Sequence, residues 1–336
     1  MNKLVAISSL LISMTLITSC GGPGAGDRPE SNAILHSSTF AAITDSITRS
    51  PKDALLYLRR AGLLSQTNNH ELAADDYKTS WKLRPYEETG IQYAASLSIL
   101  GKQAEKLTFL EEAEKQLPDS KNIKRLTGEA YADAGRSSQA LELYNFLLSK
   151  DSTDFETWYE KGLLLETLKD TALAFVALRK AYSLQPVNTY ALELAHLYAE
   201  SRNPLAITLC DEVIRKDESK QMVDPFFIKG IYFSNINLFD SAIIQYDSCI
   251  QRDWKFTDAY IEKGIVFFKQ KNIDEALNTF QMAAKVSNTY PDSYYWMGRC
   301  YEKINRKEEA MASYERAISL DRNFVEAKEA LKRLKG

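Results

Sequence analysis

Apolar and small residues recur along this chain at the spacing of a helix face, and the pattern returns about every 34 residues. In the segment that begins at Pro291, Tyr294, Gly298 and Tyr301 lie four and three residues apart, so they share one stripe of a helix. A second stripe follows a short polar break and contains Ala310, Tyr314 and Ala317. The pattern predicts two amphipathic helices joined by a tight turn.

The same marks recur through most of the chain. One step of 34 residues towards the N terminus they are Tyr260, Gly264, Phe267, Ala276, Phe280 and Ala283. The repeats start near residues 54, 87, 121, 155, 189, 223, 257 and 291. One hairpin cannot bury such stripes alone, whereas stacked hairpins bury them as a continuous core. The sequence therefore predicts an all-α array of about eight hairpins over residues 54–324.

This combination of small and large residues resembles the tetratricopeptide repeat family over residues 54–324. The resemblance implies an α-solenoid, or superhelix, of about eight helix-turn-helix units that binds other proteins. Residues 325–336 carry a basic end and are predicted to form a capping helix. Residues 37–53 are predicted to form a short N-terminal helix and a linker.

Three departures from the repeat pattern stand out. Gly90 replaces the large residue at position 4 of the second unit, and Lys106 replaces the small residue at position 20. In the fifth unit Ala195, Ala206 and Cys210 come one or two places early, and the following "DESKQM" restores the phase. We expect that unit to have a shortened turn between its helices and a longer exit loop.

Composition supports a helical, ordered chain. Glycine and proline number only 14 and 9 among 336 residues, which is few for the many turns of a β-sandwich. The net charge of −3 lacks the basic surplus that general nucleic-acid binding needs. We therefore expect no nucleic-acid partner.

The first residues of the chain have the pattern of a secretory signal. Residues 1–19 carry Lys3 and then a short apolar run that is rich in serine and threonine. Ile17-Thr18-Ser19-Cys20 resembles the bacterial lipoprotein lipobox, which implies cleavage before Cys20 and its lipidation. The alternative is a plain signal peptide with an incidental cysteine. Residues 20–36, rich in Gly, Pro and Ser, would then form a flexible tether.

These features predict a place in the cell. A lipidated Cys20 implies a lipid-anchored protein of the bacterial cell envelope, on its periplasmic or surface face. Gly21, where an aspartate could signal retention in the inner membrane, favours the outer membrane.

The sequence offers little for catalysis. Motifs for phosphate binding, dinucleotide binding, serine nucleophiles and zinc proteases are absent. His36, His70 and His196 stand far apart, without other histidines or cysteines at ligand spacing. Cys210 and Cys249 fall at packing positions and are predicted to be small buried thiols. We expect no enzyme activity, no metal and no cofactor.

The family resemblance implies a partner-binding groove lined by the first helix of each unit, at positions 2, 5, 6, 9, 12 and 13. In units three to five these positions are mostly acidic, and the candidates are Glu129, Asp133, Glu156, Tyr159, Glu160, Glu193, His196 and Glu200. In units six to eight they are mostly apolar, and the candidates are Phe227, Ile231, Phe268, Tyr295 and Trp296.

This pattern predicts a non-catalytic scaffold or adaptor whose groove binds basic and hydrophobic segments of protein partners. Phe227 and Trp296 are the expected anchors, since buried aromatic residues dominate interface energetics. The alternative is that helix surfaces are simply rich in glutamate and that the apolar residues pack between units. Another function stays open, namely a structural subunit of an envelope assembly, secretion or motility machine. An enzyme or a small-ligand sensor is a third reading.

Overall fold

The computed structural model of the chain describes residues 33–335. Its helices, in chain order, are α1 (Ala41–Arg49), α2 (Ala54–Gln66), α3 (His70–Leu83), α4 (Glu87–Ile99), α5 (Gln103–Gln116), α6 (Lys121–Asp133), α7 (Ser137–Lys150), α8 (Phe155–Thr167), α9 (Thr171–Leu184), α10 (Asn188–Glu200), α11 (Leu205–Lys216), α12 (Asp224–Asn235), α13 (Phe239–Arg252), α14 (Thr257–Lys269), α15 (Ile273–Val286), α16 (Pro291–Lys303), α17 (Lys307–Leu320) and α18 (Val325–Lys335). No strand occurs within this range. The predicted fold class, an all-α solenoid of helical hairpins, is confirmed.

Short turns with one recurring backbone conformation join the two helices of each hairpin. The second residue of these turns has a positive φ between 58° and 73°, and the set is Asn68, Gly101, Gly135, Lys169, Arg202, Asn237, Lys271 and Asn305. A left-handed residue ends a helix because it turns the chain away from the helix axis. Side chains also cap several helix starts. Ser120 Oγ, for example, accepts from the amide of Ile123 at 3.0 Å.

The helices group into two compact units, one up to Leu143 and one from Tyr144 onwards. In the first unit, Leu64, Tyr77 and Leu97 belong to one buried cluster, together with Phe40 just before α1. A buried ion pair lies beside this cluster. Arg60 donates to both carboxylate oxygens of Asp76, at 2.7 and 2.8 Å.

Gly90 and Trp81 complement each other in the same unit. A Cβ at residue 90 would lie 2.8 Å from Trp81 Cζ3 and 3.0 Å from Ile123 Cδ1. The large residue that the repeat pattern expects at position 90 is therefore replaced by the indole of Trp81, which fills that space from the preceding hairpin.

In the second unit, glycines on first helices admit large side chains from second helices. A Cβ at Gly298 would lie 2.6 Å from Tyr314 Cε1, and one at Gly264 would lie 2.5 Å from Phe280 Cε1. The rings of Tyr314 and Phe280 are fully buried. The spacing of small and large residues in the sequence thus corresponds to the packing of each hairpin.

The fifth hairpin differs from the expectation in one respect. Its turn spans four residues, 201–204, where the other hairpins have three, so the prediction of a shortened turn was wrong. Compared with the other hairpins, this one has one residue fewer at the start of its second helix, α11. There the amide of Ala206 bonds to the carbonyl of Asn203, three residues back. In α9 the amide of Ala174 bonds four residues back, to Asp170. The expected longer exit loop is present and spans residues 217–223.

Cys210, Cys249 and Cys300 are buried free thiols. Burial raises the pKa of each of them to about 12, so all three are protonated near neutral pH. Within residues 33–335 no helix combines the length and apolar character that a membrane crossing requires. The predicted signal segment, residues 1–19, and the predicted lipidation site, Cys20, lie outside the described residues.

A candidate partner-binding surface on the first helices

In the first unit, two of the predicted groove acids are paired with a buried lysine. Lys106 Nζ lies 2.8 Å from Glu129 Oε1 and 3.6 Å from Asp133 Oδ2. The Lys106 side chain is only 3% exposed, whereas the two carboxylates are 38% and 47% exposed. Glu129 and Asp133 therefore present far less negative charge to a partner than the sequence suggests.

The second unit contains a cluster of carboxylates around one histidine. His196 Nδ1 on α10 lies 3.6 Å from Glu166 Oε1 on α8, and their side chains are 20% and 13% exposed. Burial alone would lower the pKa of His196, but the neighbouring Glu166, Glu200 and Glu193 raise it overall. A raised pKa favours the imidazolium form, which offsets part of the surrounding negative charge.

Glu193 responds to the same environment. Burial raises its pKa, and the charge of Glu166 raises it further, while His196 opposes both effects. The carboxylates are thus close enough to influence one another's ionisation. Glu156 and Glu160 on α8 are half-buried, and Glu200 at the end of α10 is exposed.

Tyr159 lies beside this cluster and stacks against a second tyrosine. The ring centroids of Tyr159 and Tyr190 are 4.4 Å apart with an interplanar angle of 30°. Burial raises the pKa of Tyr159, and Glu193 and Glu160 raise it further, so its hydroxyl stays protonated. A partner would meet an aromatic pair next to carboxylates, an arrangement that suits a cationic side chain.

One acid in this region was not among the candidates taken from the sequence. Glu262 on α14 is half-buried, and it occupies the same repeat position as Glu160 of α8, so that register was the available signal. Burial raises the pKa of Glu262 to about 7, with further contributions from Asp258, Asp292 and Glu200 and an opposing one from Lys269. We call Glu166, Glu193, His196, Glu200 and Glu262 the acidic surface.

Two of the predicted apolar contacts belong to the core instead. Phe227 is 8% exposed and packs edge-on against Phe256, with ring centroids 5.1 Å apart. Tyr295 is 6% exposed and packs against Phe324 at 5.1 Å. The assignment of Phe227 and Tyr295 to an exposed groove is therefore corrected. Both occupy position 5 of their repeats, as does the buried Ile261, and each ring is covered by a phenylalanine that comes just before the next first helix.

The other apolar candidates, Ile231, Phe268 and Trp296, are half-buried. Phe268 and Trp296 meet edge to face, with ring centroids 5.5 Å apart. The guanidinium of Arg299 lies 5.6 Å from the centroid of each of these rings. A partner that binds at this end of the unit would contact aromatic edges together with the Arg299 guanidinium, on a surface that the sequence predicted to be mostly apolar.

No group of three or more His, Cys, Asp or Glu side chains that could hold a metal ion occurs among residues 33–335.

Comparison with known proteins agrees with the fold. Two tetratricopeptide repeat models match the sequence, one over residues 110–189 and one over residues 291–324. No curated protein matches it.

Two solved structures share the fold. A chain of the APC/C hetero-tetramer Cut9–Hcn1 aligns with a TM-score of 0.56 and 16% identity over 90% of this chain, which spans 60% of that one. A tetratricopeptide repeat protein from Parabacteroides merdae ATCC 43184 aligns with a TM-score of 0.51 and 16% identity, over 84% of this chain and 99% of that one. The family models thus place tetratricopeptide repeats at residues 110–189 and 291–324, and the two solved structures agree with a helical-hairpin fold over most of the chain.

Proposed function

We propose that this protein is a non-catalytic, membrane-anchored scaffold of the bacterial cell envelope that binds basic and hydrophobic segments of partner proteins. Tetratricopeptide repeats are a protein-interaction fold, which supports the general role. The observation that carries the specific role is the acidic surface, where Glu166, Glu193 and His196 lie together on successive first helices. A negative surface beside aromatic rings selects cationic segments by charge and gives them apolar contacts.

The anchor is proposed from the sequence. Ile17-Thr18-Ser19-Cys20 follows a short apolar run, and a Gly/Pro/Ser-rich segment separates Cys20 from the repeats. Two or more acyl chains on Cys20 would hold the protein at a membrane, because a single chain binds only marginally. Replacing Cys20 with serine should release a folded protein into the soluble fraction. Complete retention of that variant in the membrane fraction would contradict the anchor.

The scaffold role is tested by crosslinking in the native membrane, followed by identification of the captured proteins. The proposal expects reproducible partners whose crosslinks map to α8, α10 or α14. Crosslinks confined to the second helices would contradict a role for the acidic surface.

A second candidate function, a structural subunit of an envelope machine, has its own supporting observation. Second helices carry large exposed apolar residues, including Val176 on α9 at 48%, Ile244 on α13 at 61% and Met282 on α15 at 46%. Where such residues form a contiguous patch, that patch marks an interaction site. If these residues hold the complex, charge reversal on the acidic surface should leave complex formation intact.

A further inference from the structure

The first unit contains a cavity of about 770 Å³ that is lined mainly by α2, with contributions from α1 and α4. The candidates taken from the sequence began only at the third hairpin, so none of them lies here. The α2 side of the cavity includes all six groove positions of the first hairpin, which are Leu55, Leu58, Arg59, Gly62, Ser65 and Gln66. The cavity is therefore the part of the groove that belongs to the first two hairpins.

Aliphatic side chains form one wall of this cavity. Leu55 and Leu63 on α2 are 46% and 38% exposed, and Leu58 on α2 and Ile43 on α1 are half-buried. Leu55 and Leu63 lie eight residues apart, so they share one face of the helix. Covering such side chains with a ligand would remove apolar surface from water. A concave wall of this composition is typical of a binding site.

Gly62 keeps the cavity open. A Cβ at residue 62 would meet no atom within 4 Å. The equivalent position carries a side chain in each of the other seven hairpins, for example Ala95 and Glu129. Glycine inside a helix destabilises it relative to alanine. The packing of the first hairpin does not require a glycine at this position, whereas the open cavity does.

Polar side chains on the cavity lining remain available to a ligand. Arg59, Gln66, Glu88 and Gln92 are exposed, and their side chains form no hydrogen bond or ion pair within residues 33–335. The amides of Gln66 and Gln92 each offer donors and an acceptor, which can pair with the backbone of an extended peptide. A helix pairs its backbone internally and would leave these amides unused. Arg59 and Glu88 carry opposite charges, so the lining favours neither sign.

Two other occupants are disfavoured by shape and size. A lipid bilayer is flat and cannot follow a concave wall. A second copy of the chain would need an interface of about 1,200 Å² or more, and four partly covered aliphatic side chains expose far less than that.

We propose that this cavity binds the hydrophobic residues of the partner segment in an extended conformation. Their side chains pack against the leucines of α2, and their backbone pairs with the amides of Gln66 and Gln92. This inference rests on the proposed function, because it assigns the hydrophobic part of the recognition to α2 and α4. On α12 and α16, where the sequence predicted such contacts, Phe227 and Tyr295 are buried.

The test pans a phage-displayed library of random dodecapeptides against the full chain in 1 M NaCl. At this salt concentration the Debye length is about 3 Å, so ionic binding to the acidic surface is suppressed. Selected peptides are then measured by fluorescence anisotropy against the wild type, G62L, L63S and the control L83S. Leu83 is 39% exposed, as Leu63 is to within one per cent, but it lies at the end of α3 and does not line the cavity.

The wild type should select peptides rich in aliphatic and aromatic residues. G62L fills the cavity and should raise their Kd at least about tenfold, and L63S should raise it about 3- to 10-fold. L83S should leave the Kd unchanged. Thermal unfolding separates binding from folding. G62L should melt at the wild-type temperature or higher, since leucine is the better helix former and its side chain enters open space.

Four results would overturn the cavity proposal. Hydrophobic peptides that bind G62L within twofold of the wild type would place their site elsewhere, and a lower melting temperature of G62L would contradict the open space at Gly62. A selection that yields basic peptides at low salt and none in 1 M NaCl would overturn the cavity and leave the scaffold proposal standing. Binding of oleate that is lost in G62L, with no hydrophobic peptide selected, would assign the cavity to a small apolar ligand. A library that yields no peptide at either salt concentration would overturn both proposals.

Discussion

Lys106 Nζ lies 2.8 Å from Glu129 Oε1, so a lysine at a small-residue position of one hairpin neutralises a carboxylate on the next. The stem of Lys106 is buried and its amine reaches a partly exposed acid. A long side chain is tolerated there because its apolar part packs while its charge is paired at the edge. The same contact removes Glu129 from the set of free acids, so it affects both the fold and the expected binding surface.

We predict that the stem of Lys106 stabilises the fold more than its charge does. K106A should lower the free energy of unfolding by about 1–3 kcal/mol, because packing and the ion pair are both lost. K106M keeps most of the stem and should cost only about 0–1 kcal/mol, since the paired acid is partly exposed. Urea denaturation of both variants measures the difference. Equal losses would show that the ion pair dominates.

Replacing glycine with alanine should have opposite effects on the stability of the protein at two positions on neighbouring first helices. G90A places a Cβ against Trp81 and should destabilise the protein by about 1–3 kcal/mol, despite the helix propensity of alanine. G62A is the matched control, because no atom lies within 4 Å of its added Cβ. It should stabilise the protein by about 0.5–1 kcal/mol. Thermal unfolding that gave both variants the same sign would contradict the packing described for Trp81.

Stability should increase as the pH falls from 8 to 6. The pKa of Glu262 is raised to about 7, so the folded protein binds this proton more tightly than the unfolded chain does. The free energy of unfolding then rises as the pH drops through the folded pKa, and the gain is complete only once the pH is below the ordinary pKa of glutamate. The effect is at most about 3 kcal/mol. E262Q should flatten this part of the profile, measured by urea denaturation at each pH. An unchanged slope in E262Q would assign the effect to other groups.

The sequence predicted the hairpins because small and large residues had to recur in register for neighbouring helices to pack. Gly298 and Tyr314 show this most simply, since the ring occupies the space that a Cβ would need. The fifth hairpin departs from this register. An early Ala206 indicated a missing residue, but only the backbone bonding of Asn203 shows that α11 lost it and the turn did not.

The candidate site was less predictable for two physical reasons. A position on a helix face does not reveal whether the next segment covers it, and Phe227 and Tyr295 are buried for that reason. The charged residues along one helix also do not show which ion pairs form between hairpins. The sequence therefore did not predict that Lys106 pairs with Glu129 and Asp133.

The central claim is that the acidic surface binds the partner. The most direct test combines charge reversal at Glu166, Glu193 and Glu200, all on α8 and α10, and measures the affinity of the full chain for a partner identified by membrane crosslinking. Circular dichroism first confirms that the variant is folded. The account predicts a loss of affinity of at least about tenfold, together with a weaker salt dependence. Unchanged affinity in the folded variant would contradict it.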